Sequence, residues 1–499
     1  MKNIGFDNEL YVKLQTETIK ERIKMFNGKL YLEFGGKLFD DYHAQRILPG
    51  FELNSKIRLL EKLKDSLEII FCINAGDIAR KKIRADYGIT YDMELIRLVK
   101  VLTKKGLKIN SVAINLYDNQ PGVDIFEDRL HSLGIKTYKF TPTKGYPTDV
   151  EVIVSEEGYG KNPYIKTTKP LVVVTAPGPN SGKLATCLSQ LYHEYKHGIK
   201  AGYAKFETFP VWDLPLDHPV NIAYEAATAD LNDKNMVDHF HLEAYGKVAI
   251  NYNRDLEVFP VLEAILKKIT GEKIYASPTD MGVNSIGSCI VDDNAVRLAA
   301  NKEIIRRYYK ALTDYKLGRI EGNVVQRIKL LLNNNYLDVD LLPVIKPALE
   351  KQEKSNKRSA AIELSDGPII TGRETDIFTP VSSTILNAIK VLAGIEDDFY
   401  LITPELLNNI VSLKRQIEPE KYLLTLNEVL IALSGSTSTN PLAEKALQQL
   451  PKLASLDLHS SYILENGDLK TLRDLKINFT SEPEFYTERL FKKHQNHRI

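Results

Sequence analysis

The sequence predicts an α/β protein with a mostly parallel sheet, helices on both faces of that sheet, and a second, smaller α/β domain. From Glu68 onward, short β-rich runs alternate with amphipathic helical segments, a pattern typical of parallel sheets flanked by helices. The run "LVVV" at residues 171–174 is apolar without interruption, as expected of a strand that is buried on both sides. A charged stretch that ends near Ser359 separates this region from a second β-rich start.

Residues 1–65 mix short strand-like pieces with charged helical pieces, and we predict that they form an N-terminal α+β extension. The parallel α/β domain is predicted over residues 66–292. Its predicted strands lie, in chain order, in EIIFCINAG, INSVAINLY, IKTYKF, DVEVIVS, KPLVVVT, IKAGYAKF, KVAINYN and EKIYASP. Amphipathic helices separate them; "YDMELIRLVKVLTKKG", for example, has apolar residues at helical spacing and ends at Gly106.

Residues 293–358 are predicted to be a helical segment followed by a linker, because "ALEKQEKSNKRSA" is charged and poor in apolar residues. Residues 359–499 are predicted to form the smaller C-terminal α/β domain. This domain begins with β character in "AAIELSDGPIITG" and continues with predicted helices at residues 381–394 and 404–415.

Composition and charge exclude several classes of protein. The 66 Lys and Arg residues nearly balance the 65 Asp and Glu residues, so the overall charge favours neither nucleic acid nor an acidic membrane as a partner. The three cysteines, Cys72, Cys187 and Cys289, are far apart and have no CxxC spacing, which indicates a reducing compartment. No segment has the pattern of a signal peptide or is apolar enough to cross a bilayer. We therefore expect a cytoplasmic protein.

The strongest functional signal is "TAPGPNSGKLATCL", at the end of a predicted buried strand. A phosphate-binding loop needs a turn with inward-facing amides and a following helix whose N-terminus points at the anion. Gly178, Asn180 and Ser181 supply the turn chemistry. Gly182 lets the backbone approach a ligand, and Lys183 contributes a positive charge. We predict that these five residues bind a phosphate or a nucleotide.

The loop departs from the full G-x-x-x-x-G-K-[ST] pattern in two ways. Pro177 occupies the position of the first glycine, and Leu184 occupies that of the Ser or Thr that normally binds magnesium. Pro177 and Pro179 also lack the N–H donors that such a loop uses. A hydroxyl could come instead from any of three neighbours, Thr175, Ser181 and Thr186.

Three further residues are predicted to lie at the same edge of the sheet as the loop. Lys205 and Glu207 end the next predicted strand, and ligands of open parallel sheets bind beyond the carboxyl ends of strands. Asp280 follows the predicted strand EKIYASP. We therefore predict four catalytic residues: Lys183, Lys205, Glu207 and Asp280. The alternative is a closely packed strand-to-helix turn beside an ordinary surface ion pair.

The helix after the loop carries an HExxH motif made of His193, Glu194 and His197. Two histidines four residues apart share a helical face and can bind zinc, with the glutamate as general base. The apolar stripe of this helix leaves both histidines on a polar face, however, and Gly198 ends the helix. Histidine in a last helical turn is favoured by the helix dipole. The pattern therefore favours a structural helix end, and zinc is not the expected cofactor.

The stretch from "TAPGPNSGKLATCL" to "AYEAATADLND" resembles an uncharacterised bacterial family of proteins of about this length, defined by a domain of unknown function. The resemblance covers the whole chain. Members are sometimes labelled ATP-dependent zinc peptidases, which corresponds to the two short motifs above. The same stretch is similar to the opening of P-loop cofactor-biosynthesis enzymes of the dethiobiotin-synthetase type, from which Pro177 and Leu184 depart. The resemblance implies a P-loop or Rossmann-like three-layer fold and brings no established catalytic residues.

We predict an enzyme that binds a phosphate or a nucleotide and acts on a small molecule, with ATP or another nucleotide plus Mg²⁺ as cofactor. Electrostatic positioning would be its main catalytic device. Two alternatives stay open: a zinc-dependent hydrolase or peptidase that uses His193, Glu194 and His197, and a non-enzymatic assembly or binding protein with a vestigial loop. Neither nucleic acid nor a membrane is an expected partner, and a homo-oligomer is left open.

Overall fold

The computed structural model describes residues 4–84, 88–365, 367–419 and 422–486. The chain divides into two compact units, the first with Met1–Glu225 and Asn232–Ala300, the second with Ala226–Leu231 and Asn301–Ile499. Within the described ranges, no helix combines the length and the apolar character that a membrane crossing requires.

Among the described residues, eleven strands and thirteen α-helices begin in the first unit. The ninth and the thirteenth of these helices continue into segments of the second unit. The strands are β1 (Leu30–Phe34), β2 (Leu67–Asn74), β3 (Ile83–Arg84), β4 (Ile89–Thr90), β5 (Ile109–Asn115), β6 (Lys136–Lys139), β7 (Leu171–Thr175), β8 (Gly202–Phe206), β9 (Asn235–Val237), β10 (Ile250–Tyr252) and β11 (Gly282–Val283). The helices are α1 (Asn8–Met25), α2 (Tyr42–Ile47), α3 (Ser55–Lys62), α4 (Ala75–Ala79), α5 (Tyr91–Lys104), α6 (Val123–His131), α7 (Val150–Ile153), α8 (Lys183–Lys196), α9 (Pro219–Ala227), α10 (His239–Tyr245), α11 (Asn253–Thr270), α12 (Pro278–Met281) and α13 (Asp293–Lys316).

The central sheet of this unit has seven strands, all parallel, in the order β11-β8-β1-β7-β2-β5-β6. This confirms the predicted α/β fold. Every residue of β1 and β7 is buried, because both strands have neighbours on each side and α8 packs against them. β1 comes from the first 65 residues and is inserted between β7 and β8. Since the strands are parallel, their carboxyl ends share one edge of the sheet, here called the carboxyl edge.

Two predicted strands of this unit are wrong. "DVEVIVS" forms the short helix α7, because the side chain of Asp149 accepts a hydrogen bond from the amide of Val152 and so caps a helical turn. "EKIYASP" is not a strand: the side chain of Asp280 accepts a hydrogen bond from the amide of Ala276, and Ser277 caps α12 by accepting from the amide of Asp280. In both places a side chain competes with strand pairing for the backbone.

The second unit contains four strands among the described residues, β12 (Ser359–Glu363), β13 (Ile369–Arg373), β14 (Asp457–Ser460) and β15 (Asn478–Ser481). Its further helices are α14 (Gly322–Asn334), α15 (Ile345–Ser355), α16 (Pro380–Ala393), α17 (Pro404–Ile417), α18 (Leu426–Ser436), α19 (Pro441–Leu447) and α20 (Asn466–Asp474). The strands form a mixed sheet in the order β13-β12-β14-β15, in which only β14 and β15 pair in parallel. Val381, Ile385 and Ile389 of α16 belong to the core of this unit. The prediction of a second, smaller α/β region is confirmed.

Candidate functional site

The loop of residues 176–182 leaves β7 at the carboxyl edge and leads directly into α8. Asn180 and Gly182 both adopt left-handed backbone conformations, with φ of 53° and 84°. A Cβ atom at Gly182 would lie 2.6 Å from Cγ of Asn115, at the end of β5. Gly178 is equally crowded, since a Cβ there would lie 2.6 Å from the ring of Tyr91. The two glycines therefore let the loop pack closely against neighbouring elements.

Side chains from neighbouring segments hold the carbonyl groups of this loop. The amide of Asn115 donates to the carbonyl oxygen of Ser181 over 2.9 Å. The side-chain amide of Asn74, at the end of β2, donates to the carbonyl oxygen of Asn180 over 3.4 Å. The guanidinium of Arg84 donates to the carbonyl of Pro177 over 3.4 Å. Three loop carbonyls thus point toward the body of the sheet domain.

The amides of the same peptide units point the opposite way. In a trans peptide the C=O and N–H vectors are antiparallel, and the cis peptides of the described chain lie elsewhere. The N–H groups of Gly178, Ser181 and Gly182 are therefore directed away from the side chains that hold the carbonyls. The amide of Ser181 faces the carbonyl of Gly178 across the turn at Pro179 and Asn180. The amides of Gly178 and Gly182 have no hydrogen-bond acceptor in the described part of the chain. Together with the N-terminus of α8, they form a surface of free N–H donors, the arrangement that binds anions.

The structure separates the three candidate hydroxyl groups. Thr175 donates to the carbonyl of Phe34 over 3.3 Å, and Thr186 donates to the carbonyl of Gly182 over 3.0 Å. The hydroxyl of Ser181, in contrast, is buried and has no partner among the described residues. An unpaired buried hydroxyl costs free energy, so Ser181 is the residue of the three that is left for a ligand.

Lys183 lies at the start of α8 and faces a carboxylate on the neighbouring strand. Its Nζ is 3.8 Å from Oε1 of Glu33 in β1, and both side chains are largely buried. The other carboxylate oxygen of Glu33 accepts a hydrogen bond from the hydroxyl of Tyr203 over 2.9 Å. Glu33 is therefore fixed beside the ammonium group of Lys183.

Lys205 and Glu207 continue this row of charges across the carboxyl edge. Lys205 is directly opposite Glu33 in the pairing of β1 with β8. Its Nζ lies 2.5 Å from Oδ2 of Asp255 in α11 and 3.1 Å from Oε1 of Glu207. Burial raises the pKa of Glu207 to about 7; the charge of Lys205 opposes this rise, and Asp255 and Glu33 add to it. Glu207 therefore changes protonation state close to neutral pH.

Three of the four predicted catalytic residues, Lys183, Lys205 and Glu207, thus belong to one charged row that Glu33 connects. Sequence reasoning missed Glu33 and Asp255. A usable signal existed for Glu33, because a charged residue inside the apolar strand "LYLEF" must find a buried partner. No comparable signal marks Asp255, whose contact with Lys205 joins residues 50 positions apart.

Asp280 belongs to a different cluster. It precedes β11, and Gly282 two residues later is the partner of Lys205 in the sheet. Its Oδ2 accepts hydrogen bonds from the hydroxyl of Tyr245 over 2.8 Å and from the amide of Ala276 over 2.9 Å. The premise that Asp280 follows a strand is wrong, and its described contacts do not include the loop or the charged row.

The HExxH motif occupies the other end of α8. Glu194 is fully buried, and its Oε1 lies 2.5 Å from Nζ of Lys29 and 2.7 Å from the hydroxyl of Tyr31. His193 donates through Nε2 to the carbonyl of Asn162 over 2.6 Å. His197 donates through Nδ1 to the carbonyl of His193 over 2.6 Å. All three residues of the motif are thus engaged with the protein itself.

The face of α8 that carries these histidines is polar, as predicted, but protein covers most of it, although His197 at its end is exposed. Thr186, Ser189 and Gln190 are fully buried. Gln190 accepts from the amide of Ile165 and donates to the carbonyl of Pro163, so the segment before β7 covers this side of the helix. Across the residues that the structure describes, no group of three or more His, Cys, Asp or Glu side chains is arranged to hold a metal ion.

Comparison with known proteins defines the family. Residues 4–336 match the model of the N-terminal domain of unknown function DUF1846, and residues 340–491 match that of its C-terminal domain. A UPF0371 protein of Clostridium botulinum (strain Alaska E43 / Type E3) is 54% identical over 498 residues, which cover 98% of this chain and 99% of the relative. A UPF0371 protein of Clostridium tetani (strain Massachusetts / E88) is 52% identical over the same shares of both chains. The resemblance to a bacterial family defined by a domain of unknown function is confirmed: the chain belongs to the DUF1846 (UPF0371) family.

Proposed function

We propose that this protein is an enzyme that binds the phosphate groups of a nucleotide, or of another small phosphorylated molecule, at residues 176–183. One observation carries the proposal: neighbouring side chains hold three loop carbonyls, and the amides of Gly178 and Gly182 on the opposite side have no acceptor in the described chain. Lys183 adds an ammonium group, and Ser181 adds a buried hydroxyl without a partner. The N-terminus of α8, a helix of 14 residues, adds a partial positive charge.

The carboxylates at the carboxyl edge support a phosphate that is bound together with Mg²⁺. Glu33, Glu207 and Asp255, although paired with Lys183 and Lys205, would weaken the binding of a polyphosphate without a cation. A divalent cation that shares phosphate and carboxylate oxygens would offset this repulsion, and oxygen ligands are those that Mg²⁺ prefers. Leu184 offers no hydroxyl to the metal, whereas the hydroxyl of Ser181 is available nearby.

Thermal unfolding in the presence of ATP, GTP and pyrophosphate, each with and without Mg²⁺, tests the proposal. A ligand at about 100 times its Kd should raise the free energy of unfolding by about 2.7 kcal/mol. Lys183→Ala removes a charged contact worth about 1.5–3 kcal/mol, so we expect its affinity to fall about ten- to hundredfold. Lys196→Ala is the matched control, because this lysine lies at the opposite end of the same helix and pairs with Glu156.

Equal loss of binding in both lysine variants would contradict a role for the loop. If no phosphate compound stabilises the wild-type protein, the loop is vestigial, and a non-enzymatic assembly or binding role becomes the better account.

A further inference from the structure

Two carboxylates compete for one lysine at the carboxyl edge. Lys205 is closer to Asp255 than to Glu207, at 2.5 Å against 3.1 Å. Asp255 also lies in the first turn of the 18-residue helix α11, where the helix N-terminus stabilises a negative charge. Asp255 is therefore the better partner of the ammonium group, and Glu207 is the carboxylate that takes up a proton more readily.

Glu207 is held in position and is still accessible. Its side chain is 30% exposed, and a Cβ atom at Gly35 would lie 3.4 Å from its Cγ, so the glycine allows the two segments to approach. The hydroxyl of the next residue, Thr208, is buried and has no partner in the described chain. The charged and titratable groups that act on Glu207 are Lys205, Asp255, Glu33, Tyr224 and Tyr252.

The sheet also sets the distance between Glu207 and the loop. β8 and β7 are separated by β1 alone, and neighbouring strands are about 4.8 Å apart. Glu207 thus ends a strand about 10 Å from the strand that leads into the loop. A chain of two or three phosphates anchored at the loop can extend over β1 toward Glu207.

Building on the proposed function, we propose that Glu207 accepts the proton of a hydroxyl group on the second substrate as that oxygen attacks the terminal phosphorus of the bound polyphosphate. A bond forms between the acceptor oxygen and this phosphorus, while the bond from the phosphorus to the bridging oxygen breaks. The bridging oxygen leaves with the electron pair on the shortened polyphosphate, and the proton passes to a carboxylate oxygen of Glu207. The reaction class is phosphoryl transfer to a hydroxyl acceptor. Lys205 and Asp255 are positioning residues.

Proton uptake upon ligand binding tests this role without knowledge of the acceptor. Pyrophosphate without metal is titrated calorimetrically into the full chain near pH 7, in two buffers of different ionisation enthalpy. A nearby anion raises the pKa of Glu207, which is about half protonated at this pH, so uptake can approach about half a proton per ligand. This metal-free probe measures whether the anion lies beside Glu207. In the reaction, the charge of Mg²⁺ offsets that of the phosphates and leaves Glu207 as the free carboxylate that accepts the proton. Glu207→Gln should bind at least as tightly and lose this uptake. Subtracting the proton uptake of Glu207→Gln from that of the wild type removes the protons that pyrophosphate itself binds or releases.

The matched control is Glu243→Gln, at an exposed carboxylate of α10, which should keep the wild-type proton uptake. Binding with equal uptake in wild type and Glu207→Gln would overturn the inference and leave the phosphate site intact. Absence of binding by the wild type, with Mg²⁺ as well as without it, would instead overturn the proposed function. If only the Mg²⁺ complex of pyrophosphate binds, the same two-buffer titration is made with that complex, and equal proton exchange in wild type and Glu207→Gln overturns the inference. If Glu207→Gln does not fold, the pH dependence of the wild type tests the inference. Below about pH 5 Glu207 is already protonated before the ligand binds, so the proton uptake must fall to the contribution of pyrophosphate alone. An uptake that does not change with pH would overturn the inference.

Discussion

The two ends of helix α8 carry the two short motifs of the chain and treat their polar groups in opposite ways. At the last turn the HExxH motif matches its pattern fully. His193, His197 and Oε1 of Glu194 nevertheless have partners within the protein, while Oε2 of Glu194 is buried without one among the described residues. At the first turn the Gly-Lys motif is incomplete, yet the amides of Gly178 and Gly182 and the hydroxyl of Ser181 have no partner in the described chain. Free hydrogen-bonding capacity therefore favours the first turn of α8 over the last as the place to test for a ligand, whereas agreement with a motif favours the opposite end.

Among substitutions at the two ends of α8, we expect the largest loss of stability from Glu194→Ala. Glu194→Ala leaves Lys29 and the buried hydroxyl of Tyr31 without their carboxylate. Removal of one member of a buried ion pair costs about 3–5 kcal/mol, so we expect a loss of this size in the free energy of unfolding, measured by urea denaturation. Phosphate binding by the folded variant should be unchanged, because the loop lies at the other end of the helix.

Glu156→Ala is the control for Glu194→Ala, since Glu156 forms an exposed ion pair with Lys196 of the same helix. Exposed pairs contribute less than about 1 kcal/mol. If the two variants lose similar stability, or if Glu194→Ala also loses phosphate binding, the assignment of separate roles to the two ends of α8 is wrong.

A smaller effect is expected from the two glycines that flank α8. Gly182 and Gly198 both have positive φ, 84° and 74°, and an L-residue in this conformation costs roughly 1–2 kcal/mol. The Cβ atom of Gly198→Ala would have no heavy atom within 4 Å, whereas that of Gly182→Ala would lie against the side chain of Asn115. We therefore expect a loss of about 1 kcal/mol for the first and about 2–3 kcal/mol for the second. Only the second should weaken phosphate binding in a thermal-shift titration; equal effects would contradict the close packing of the loop.

The parts of this picture that are local in sequence could be predicted. β7, the loop and α8 are consecutive, so an apolar run, a Gly-Lys pair and an amphipathic segment were enough to predict them. The failures at Asp149 and Ser277 are also local: each side chain caps a short helix where apolar and β-branched residues favour a strand. Hydrogen bonds from the backbone to side chains favour helical turns at these two places, and hydrophobic patterns do not report such bonds.

The contacts on which the proposed site depends join distant parts of the chain and could not be predicted. Asn74 and Asn115 hold loop carbonyls across 106 and 66 residues. Glu33 reaches Lys183 only because β1 is inserted beside β7. Strand order depends on the packing of the whole sheet. Local sequence patterns reduce the number of possible strand orders but do not select one of them. The same limit explains why the polar face of α8 could not be recognised as buried.

The smallest effect concerns the dependence of stability on pH at the last turn of α8. Burial lowers the pKa of His193; the carbonyl of Asn162, which accepts from its ring, opposes this change, and the neighbouring His197 adds to it. The folded state thus binds a proton less readily than the unfolded chain, in which histidine has a pKa of about 6.5. The stability contributed by this group is present above that pH. It is lost as the pH falls below about 6.5 toward the lower pKa of the folded state.

His193→Gln removes this titration and keeps an N–H donor for the carbonyl of Asn162. We expect the urea midpoint of the variant to fall less than that of the wild type between about pH 7.5 and about pH 5.5. At the higher pH the ring is neutral in both states, so a difference there reports packing alone and serves as the internal reference. Equal decreases in both proteins would mean that the fold tolerates the charged ring, and the last turn of α8 would then be less closed to ligands than its hydrogen bonds indicate.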